Sequence, residues 1–251
     1  MAKQKGIIKL RGTIGDITFY KTKDGHLARE KGGIDAKRIA NDPAFQRTRE
    51  NGSEFGRAGK AGKVLRTSIR SLLLNSSDNR MVSRLTQSMI KVIKADTTSI
   101  RGARNVIDGE AELLIGFEFN INATLGSSMF APYTGTIDRS SGEITVAFAP
   151  FVPANMIAAP SGTTHFKIIS AGMEIDFEAE TFIESHSETL PLAWDIQSTL
   201  AITHANLVTP NSTKPLFLVL GMEFYQEVNG KMYSLKNGKY NPLSLIAVSG
   251  L

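Results

Sequence analysis

The chain has 251 residues, of which 41% are hydrophobic and 21% are charged. These proportions are typical of a soluble globular protein, and they exclude wholesale disorder, a collagen helix and a coiled-coil rod. The chain contains no cysteine, which excludes disulfides, thiol chemistry and thiolate metal sites. Its length suits one large domain or two smaller ones.

We expect no export signal at the beginning of the chain. Residues 1–12 are basic, but their apolar part is only Ile7-Ile8, whereas a signal peptide needs roughly 7–15 apolar residues. The longest apolar run, residues 216–222, is much shorter than the ~20 residues of a spanning helix. The sequence therefore predicts a cytoplasmic protein without membrane insertion. Release by a non-classical route such as cell lysis stays open.

Charge divides the chain into two regions. Residues 1–105 hold 23 Lys/Arg and 9 Asp/Glu, a net charge of +14, and residues 106–251 hold 6 and 15, a net charge of −9. A basic region can bind nucleic acid. It can also dock head to tail on the acidic region of the next copy. A third interpretation is that both sets of charges are simply solvated.

The first segment predicts a small β element. Residues 16–22 alternate apolar and polar side chains, Lys23-Asp24-Gly25 supplies a turn, and residues 26–31 return as the partner strand. Residues 6–10 and 12–15 add a preceding strand and turn. Because a lone hairpin is marginal in water, we expect it to pack on its own chain or on a neighbour.

A helical region follows from the start signal NDP at residues 41–43, which offers a capping side chain and a proline in the first turn. Gly52, Gly56 and Gly59 fall on one face of this helix, together with Phe45. Each glycine costs about 1 kcal/mol of helix stability relative to alanine.

Two interpretations of these glycines stay open. Another backbone packs closely against the glycine face, or the helix breaks near Gly59–Gly62 into two shorter helices. After a loop at residues 75–78, a second helix is predicted over residues 79–94. Its apolar stripe comprises Met81, Val82, Leu85, Met89, Val92 and Ile93. Residues 99–105 are predicted to be a linker.

From residue 106 onward, β-branched and aromatic residues increase and turn signals recur at short intervals. The predicted strands cover residues 113–120, 134–138, 143–148, 164–170, 173–179, 199–204, 216–228, 231–235 and 243–248. Their number, without helical patterns between them, favours an antiparallel β-sandwich. The fold prediction is therefore α+β, with a small N-terminal hairpin and helical segment in region 1–105 and an acidic sandwich domain in region 106–251.

One predicted strand carries a row of acids. Glu174, Asp176, Glu178 and Glu180 alternate with apolar residues, and a period of two places all four carboxylates on one face. This row is either a docking stripe for the basic region of another copy or a solvated strand face that discourages aggregation. A flat strand spreads such groups ~7 Å apart, which does not suit calcium.

No local motif for catalysis is present. The chain has no H-E-x-x-H and no G-x-S-x-G. The stretch GRAGKAGK at residues 56–63 is not a phosphate loop, because its spacing is wrong and Val64 stands where Ser or Thr is required. The sequence therefore predicts a protein that is not an enzyme, with no cofactor, no metal and no evident small-molecule substrate.

The basic residues of the first region support nucleic-acid binding as an alternative. Such a cluster would bind phosphates in a salt-sensitive manner, although on a helical wheel these residues spread around the axis. The only aromatics nearby are Phe45 and Phe55, which is few for a base-stacking platform. The candidate residues are Arg47, Arg49, Arg57, Lys60, Lys63, Arg66 and Arg70.

The order of segments resembles a family of uncharacterised Bacteroidota proteins. The resemblance rests on the motifs G-x-x-G-D-I-T-F-Y at residues 12–20 and R-T-R-E-N-x-x-E-F at residues 47–55, and on the closing segment from residue 224 to 248. It spans nearly the whole chain. It implies an architecture and a lineage but no activity and no functional residues, because the family has no assigned function.

The leading hypothesis is a non-enzymatic structural protein that assembles with its own copies as a filament, ring or virion-like shell. In it, the basic N-terminal region contacts a neighbouring subunit in a homo-oligomer. The predicted interface residues are Phe45, Gly52, Phe55, Gly56, Gly59, Glu174, Asp176, Glu178 and Glu180.

Overall fold

Two units make up the chain, Met1–Arg49 and Glu50–Leu251. The computed structural model describes residues 2–30 and 33–250, without the side chains of Lys236 and Asn237. Helices and antiparallel sheets are both present, so the predicted α+β class is confirmed. The domain boundary expected after residue 105 lies inside the second unit, because the helices that precede it share a core with the strands that follow.

The first unit contains a four-stranded antiparallel sheet. Its strands are β1 (Ala2–Lys3), β2 (Gly12–Ile14), β3 (Ile17–Thr22) and β4 (Gly25–Glu30), in the order β1-β4-β3-β2. The predicted hairpin is confirmed, with Thr22 opposite Gly25 across a two-residue turn. The strand expected at residues 6–10 does not form, and the side chain of Gln4 instead accepts a hydrogen bond from the Leu10 amide. The last residue of the expected return strand, Lys31, lies outside the described residues.

The helical region contains α1 (Ala36–Asn41), a 3-10 turn (Pro43–Phe45), α2 (Gln46–Ser68), α3 (Arg70–Leu73) and α4 (Met81–Ala95). The Asp42 side chain caps the 3-10 turn by accepting a hydrogen bond from the Ala44 amide at 2.9 Å. Helix α2 runs without a break through all four glycines. The interruption lies at the buried residue Ile69, so the break expected near residues 59–62 was wrong.

The second unit builds two antiparallel sheets. Its strands are β5 (Tyr133–Asp138), β6 (Glu143–Phe148), β7 (His165–Asp176), β8 (Thr181–Glu188), β9 (Leu192–Ala193), β10 (Ile202–Leu207), β11 (Leu216–Val228), β12 (Lys231–Ser234) and β13 (Leu243–Ser249). The larger sheet runs β12-β11-β7-β8, with β13 also paired to β11 and β9 to β7, and the smaller sheet runs β10-β6-β5. Two short helices, α5 (Leu125–Ser128) and α6 (Pro153–Met156), lie in the connections.

The larger sheet is covered on both faces. One face packs on α2, α3 and α4 through a core that includes Leu65, Leu85, Met173, Phe217 and Leu245. The other face packs on the smaller sheet through a second core, which includes Ile144, Val146, Phe166, Leu218 and Leu220. A strand buried on both faces reads as an unbroken apolar run rather than an alternation. This burial explains the apolar run that begins at the start of β11.

The predicted strands differ from the observed ones at three places. Residues 113–120 form a 3-10 turn (Ala111–Leu114) and an extended segment that makes only a single bridge, between Glu118 and Ser244. The strands expected at 164–170 and 173–179 are one strand, β7. Gly172 lies inside this strand. A Cβ atom added there would come within 2.9 Å of the Asn206 side chain, which explains why the strand has a glycine at this point. Strand β8 was not predicted, because its sequence TFIESHSE lacks a clean alternation.

No helix among the described residues combines the length and the apolar composition needed to cross a membrane.

Candidate self-association surfaces

The sheet of the first unit has an apolar face that is open to solvent. The register places Ile14 opposite Ile17 and Phe19 opposite Ala28, so these four side chains share one face, which we call the open apolar face. None of the described residues of this unit is buried, and Ile14 is 63% exposed. The sheet therefore lacks the burial that stabilises small β structures.

The opposite face of the same sheet is more polar. The hydroxyl groups of Thr13 and Thr18 lie 3.2 Å apart, and the Arg29 guanidinium stands 5.5 Å from the centre of the Tyr20 ring. These contacts satisfy polar groups within the unit. The two faces therefore differ in polarity, and within its own unit the open apolar face has no cover.

The charged residues around the open apolar face are mostly basic, with Glu30, opposite Ile17, as an acidic exception. His26 lies opposite Lys21 in the β3–β4 pair, on the same face. Partial desolvation, together with the positive charges of Lys21, Arg11 and Lys9, lowers the pKa of His26. The unit as a whole holds 12 Lys/Arg and 5 Asp/Glu, a net charge of +7. An acidic partner would therefore suit this face better than a basic one.

The glycine face of α2 also points to solvent. A Cβ atom added to Gly52, Gly56 or Gly59 would have nothing within 4 Å, whereas one added to Gly62 would meet the Leu85 side chain at 3.5 Å. Only Gly62 therefore packs closely on a described part of the chain. Phe55, beside the glycine face, is 59% exposed.

Phe45 lies in the 3-10 turn that precedes α2, and its ring centre stands 5.7 Å from the Arg38 guanidinium. It is half-buried, and it remains a predicted contact residue.

The acidic row does not form a flat stripe. Strand β7 ends at Asp176, and Glu178 and Glu180 lie in the turn before β8, so the expectation of four carboxylates on one strand face was wrong. The physical reason is local: Asp176 accepts hydrogen bonds from the amides of Glu178 and Ala179, which turns the chain.

Three of these four carboxylates have partners within the chain. Glu174 accepts a hydrogen bond from the Thr209 amide at 3.1 Å, Asp176 lies 2.6 Å from Lys214 Nζ, and Glu180 lies 3.5 Å from Lys60 Nζ. The hydrogen bond from Lys214 is the main cause that lowers the pKa of Asp176. Glu178 is exposed at the turn, and it remains a predicted contact residue.

The seven candidate basic residues do not form one surface. Arg49 donates to the carbonyls of Ile39 and Asp42, Arg57 donates to those of Gly102 and Arg104, and Lys60 pairs with Glu180. Arg47 is exposed in the first turn of α2. The remaining three line one open depression of about 420 Å³ beside Leu73, Leu74 and Met81; they are Lys63, Arg66 and Arg70.

A buried polar cluster, which sequence reasoning missed, lies between the two sheets. His204 Nδ1 is 2.8 Å from Ser170 Oγ, and the Asn206 side chain donates to the same oxygen at 3.2 Å. This distance suits a nucleophile and its base, but Ser170 and His204 are both buried, and burial lowers the pKa of His204. Because of this burial a substrate would not reach the serine, and we do not assign the cluster a catalytic role.

Within residues 2–30 and 33–250, no three His, Asp or Glu side chains converge as metal ligands do. Comparison with protein-family models, with curated proteins and with solved structures finds no match. The resemblance to a Bacteroidota family therefore stays a prediction.

Proposed function

We propose that this chain is a non-enzymatic structural protein that assembles with its own copies, as a filament, ring or shell in the cytoplasm. The open apolar face of the first unit carries the proposal. A sheet without buried residues gains little from the hydrophobic effect, which is the dominant favourable contribution to folding. A neighbouring subunit that covers Ile14, Ile17 and Phe19 would supply the missing burial.

Charge supports a head-to-tail arrangement of the copies. The first unit has a net charge of +7, and the region after residue 105 has a net charge of −9. Two copies of the basic unit repel each other, whereas a basic unit is attracted to the acidic region of the next copy. Such a contact joins different surfaces on the two partners and therefore propagates into a ring or a filament.

The glycine face of α2 offers a second surface for close approach of a neighbour. Three solvent-facing glycines reduce the helix stability by roughly 1 kcal/mol each without a compensating contact within the chain. A neighbouring backbone packed on Gly52, Gly56 and Gly59, with Phe55 at its margin, would offset this cost. Exposed Glu178 would then meet a basic side chain of the neighbour.

The decisive experiment compares two adjacent residues on opposite faces of β2. Light scattering on nuclease-treated protein at low salt should show large particles for the natural chain and for Thr13→Glu. Ile14→Glu should reduce assembly because it places a charge on the open apolar face. Both variants change the net charge equally and both sites are exposed. A natural chain that stays monomeric at high concentration and low salt overturns the proposal.

A second candidate function, nucleic-acid binding, rests on the depression lined by Lys63, Arg66 and Arg70. None of these three side chains makes an ion pair within the described residues, and each therefore has its charge free for a phosphate. Replacing all three with alanine should weaken DNA binding and reduce its salt dependence, since each lost phosphate contact lowers the slope by about 0.9. Binding that is equally strong in the triple variant would exclude this surface.

A further inference from the structure

Three long segments of the second unit are almost free of charge. Residues 119–137 and 144–164 contain no Asp, Glu, Lys or Arg, and residues 189–213 contain only Asp195. The chain as a whole is 21% charged, so this depletion is large. The three segments are separate in the sequence.

The fold brings these segments together around α6. The Phe130 amide donates to the Met156 carbonyl at 2.8 Å, which joins the first segment to the second. The Ala154 amide donates to the Asp195 carbonyl at 2.9 Å, which joins the second to the third. A further bond of 2.8 Å, from the Thr199 amide to the Phe151 carbonyl, continues the same junction.

Large apolar side chains are exposed at this junction. Phe130 is 56% exposed, Ile196 is 76% exposed and Leu200 is 86% exposed. Phe130 lies between buried Met129 and buried Ala131, so its side chain points away from the core. We call Phe130, Ile196 and Leu200, together with exposed Asn155 of α6, the charge-free surface.

We propose that the charge-free surface is a contact between two copies of this chain, related by a two-fold axis. Protein interfaces are depleted of charge and enriched in apolar and aromatic residues at their centres, and exposed apolar patches mark such sites. A surface without charge has no attraction for a strongly basic or acidic partner. It does, however, meet an identical surface without like-charge repulsion.

Charge also favours the charge-free surface over the other surfaces of the chain as the site of a two-fold contact. In a two-fold contact the same surface faces itself. A two-fold contact through the sheet of the first unit would bring two basic surfaces together, and one through the turn between β7 and β8 would bring two acidic surfaces together. Within the three segments the one Asp, Glu, Lys or Arg side chain is Asp195, whose carboxylate accepts a hydrogen bond from the Gln197 amide at 2.8 Å.

This inference rests on the proposed function, because both require that copies of the chain associate. The head-to-tail contact and the contact through the charge-free surface, however, respond to salt in opposite ways. At about 1 M salt the screening length falls to about 3 Å, which weakens a head-to-tail contact between basic and acidic surfaces. An apolar contact keeps its strength or gains from excluded salts such as sulfate. Dimers that persist at high salt are therefore the signature of the charge-free surface.

The test is sedimentation of the full chain at high salt over a range of concentrations. The natural chain should form dimers, and Leu200→Glu and Ile196→Glu should each weaken dimerisation at least about 100-fold, because two like charges then meet in a desolvated contact. Ile100→Glu is the matched control, since Ile100 is 81% exposed and lies in the second unit outside this surface. It should dimerise like the natural chain.

Cross-linking gives an independent readout, because the natural chain contains no cysteine. In Leu200→Cys a short bis-maleimide should join two copies at high salt, whereas in Ile100→Cys it should not. A natural chain that is monomeric at high salt, or glutamate variants that dimerise normally, would overturn the inference. High-salt dimers together with an absence of larger particles at low salt would retain the inference and reject the proposed head-to-tail assembly.

Discussion

Arg139 shows how one side chain holds distant parts of the second unit together. Its Nη1 donates to the carbonyls of Ser212 and Lys214, at 2.7 and 2.8 Å. Its Nη2 donates to the carbonyls of Ser249 and Gly250, at 2.9 and 2.7 Å, and to the Ser249 hydroxyl. The planar guanidinium thus joins the β5–β6 turn to the loop before β11 and to the end of β13.

We therefore expect Arg139→Ala to reduce the free energy of unfolding by about 2–3 kcal/mol, because several charge-assisted hydrogen bonds are lost and their acceptors are left half-buried. Urea unfolding in dilute solution at high salt, where the head-to-tail contact is weakest, measures the change. Arg70→Ala is the control, and it should change stability by no more than about 0.5 kcal/mol since Arg70 is exposed. Equal effects of the two substitutions would contradict this role for Arg139.

Asp96 is a buried carboxylate whose ionised form the fold stabilises. It is 1% exposed and ends α4, where its oxygens accept hydrogen bonds from the amides of Thr98, Ser99 and Asn105. Burial acts to raise the pKa of Asp96, but these hydrogen bonds outweigh it and hold the pKa far below its usual range. The carboxylate therefore favours the folded state whenever it is ionised.

A lowered pKa in the folded state adds stability at pH values above the unfolded pKa of about 4, and this stability is lost as the pH falls toward the folded value. Asp96→Asn should therefore be less stable than the natural chain at neutral pH, and the difference should narrow as the pH falls below about 4. Urea unfolding as a function of pH tests this. The exposed Glu143→Gln variant serves as control. A difference that does not change with pH would contradict the assignment.

At the scale of elements, α2 combines a buried face with a glycine face. Ala58, Ala61 and Leu65 belong to the core, whereas Gly56 faces open space. The buried face explains why a 23-residue helix survives four glycines: tertiary packing of one face outweighs weak helix propensity. The glycines still lower the stability of the helix, and this effect can be measured.

We expect Gly56→Ala to stabilise the monomer by about 1 kcal/mol, because the added methyl group meets nothing within the chain and alanine favours the helix. Thermal unfolding in dilute, high-salt solution, at a concentration where sedimentation shows monomers, measures this gain. Gly109→Ala is the contrasting variant and should destabilise, since its Cβ would lie 2.5 Å from the Val92 carbonyl oxygen. A loss of stability in Gly56→Ala would show that the face is not open.

At the scale of the whole molecule, burial differs sharply between the two units. The sheet of the first unit has no buried residue among those described, whereas β7 and β11 lie in the two cores of the second unit. Local opening requires little free energy where few apolar contacts must be broken. We therefore expect the first unit to open at a lower free-energy cost than the second.

Hydrogen exchange on the full chain should reveal this difference. In dilute, high-salt solution the amides of β3 and β4 should exchange at least ~100-fold faster than those of β7 and β11, because they open at low cost. In concentrated, low-salt solution the amides of β3 and β4 should become protected as copies cover the open apolar face. Equal protection of both units in dilute solution would contradict a partner-dependent first unit.

Local patterns predicted several elements well. The bounds of β6 and β11 match the predicted strands, and Asn229-Gly230 forms the expected turn with positive φ at both residues. The apolar stripe predicted for α4 is buried, apart from Val82 in the first turn. These features succeed because side-chain periodicity and turn preferences depend on neighbouring residues.

The candidate site was less predictable, since it depends on which surfaces meet. The acidic row bends at Asp176, and only three of the seven basic residues share a depression. A helical wheel assigns an angle to Lys63, Arg66 and Arg70, but it does not show that Leu74 and Met81 complete the same surface. Turns and helix breaks of a single residue are enough to redirect these side chains.

Charge polarity, the absence of cysteine chemistry, the N-terminal hairpin and the long apolar strand β11 were all predictable from the residues alone. The folded chain was needed to show that helices cover one face of the larger sheet and that the smaller sheet covers the other. It was also needed to show that the open apolar face has no cover within its own unit and that three charge-free segments converge around α6. The physical reason is that composition and periodicity are properties of neighbouring residues in the sequence. Burial and interfaces depend instead on contacts between residues that are far apart in the sequence.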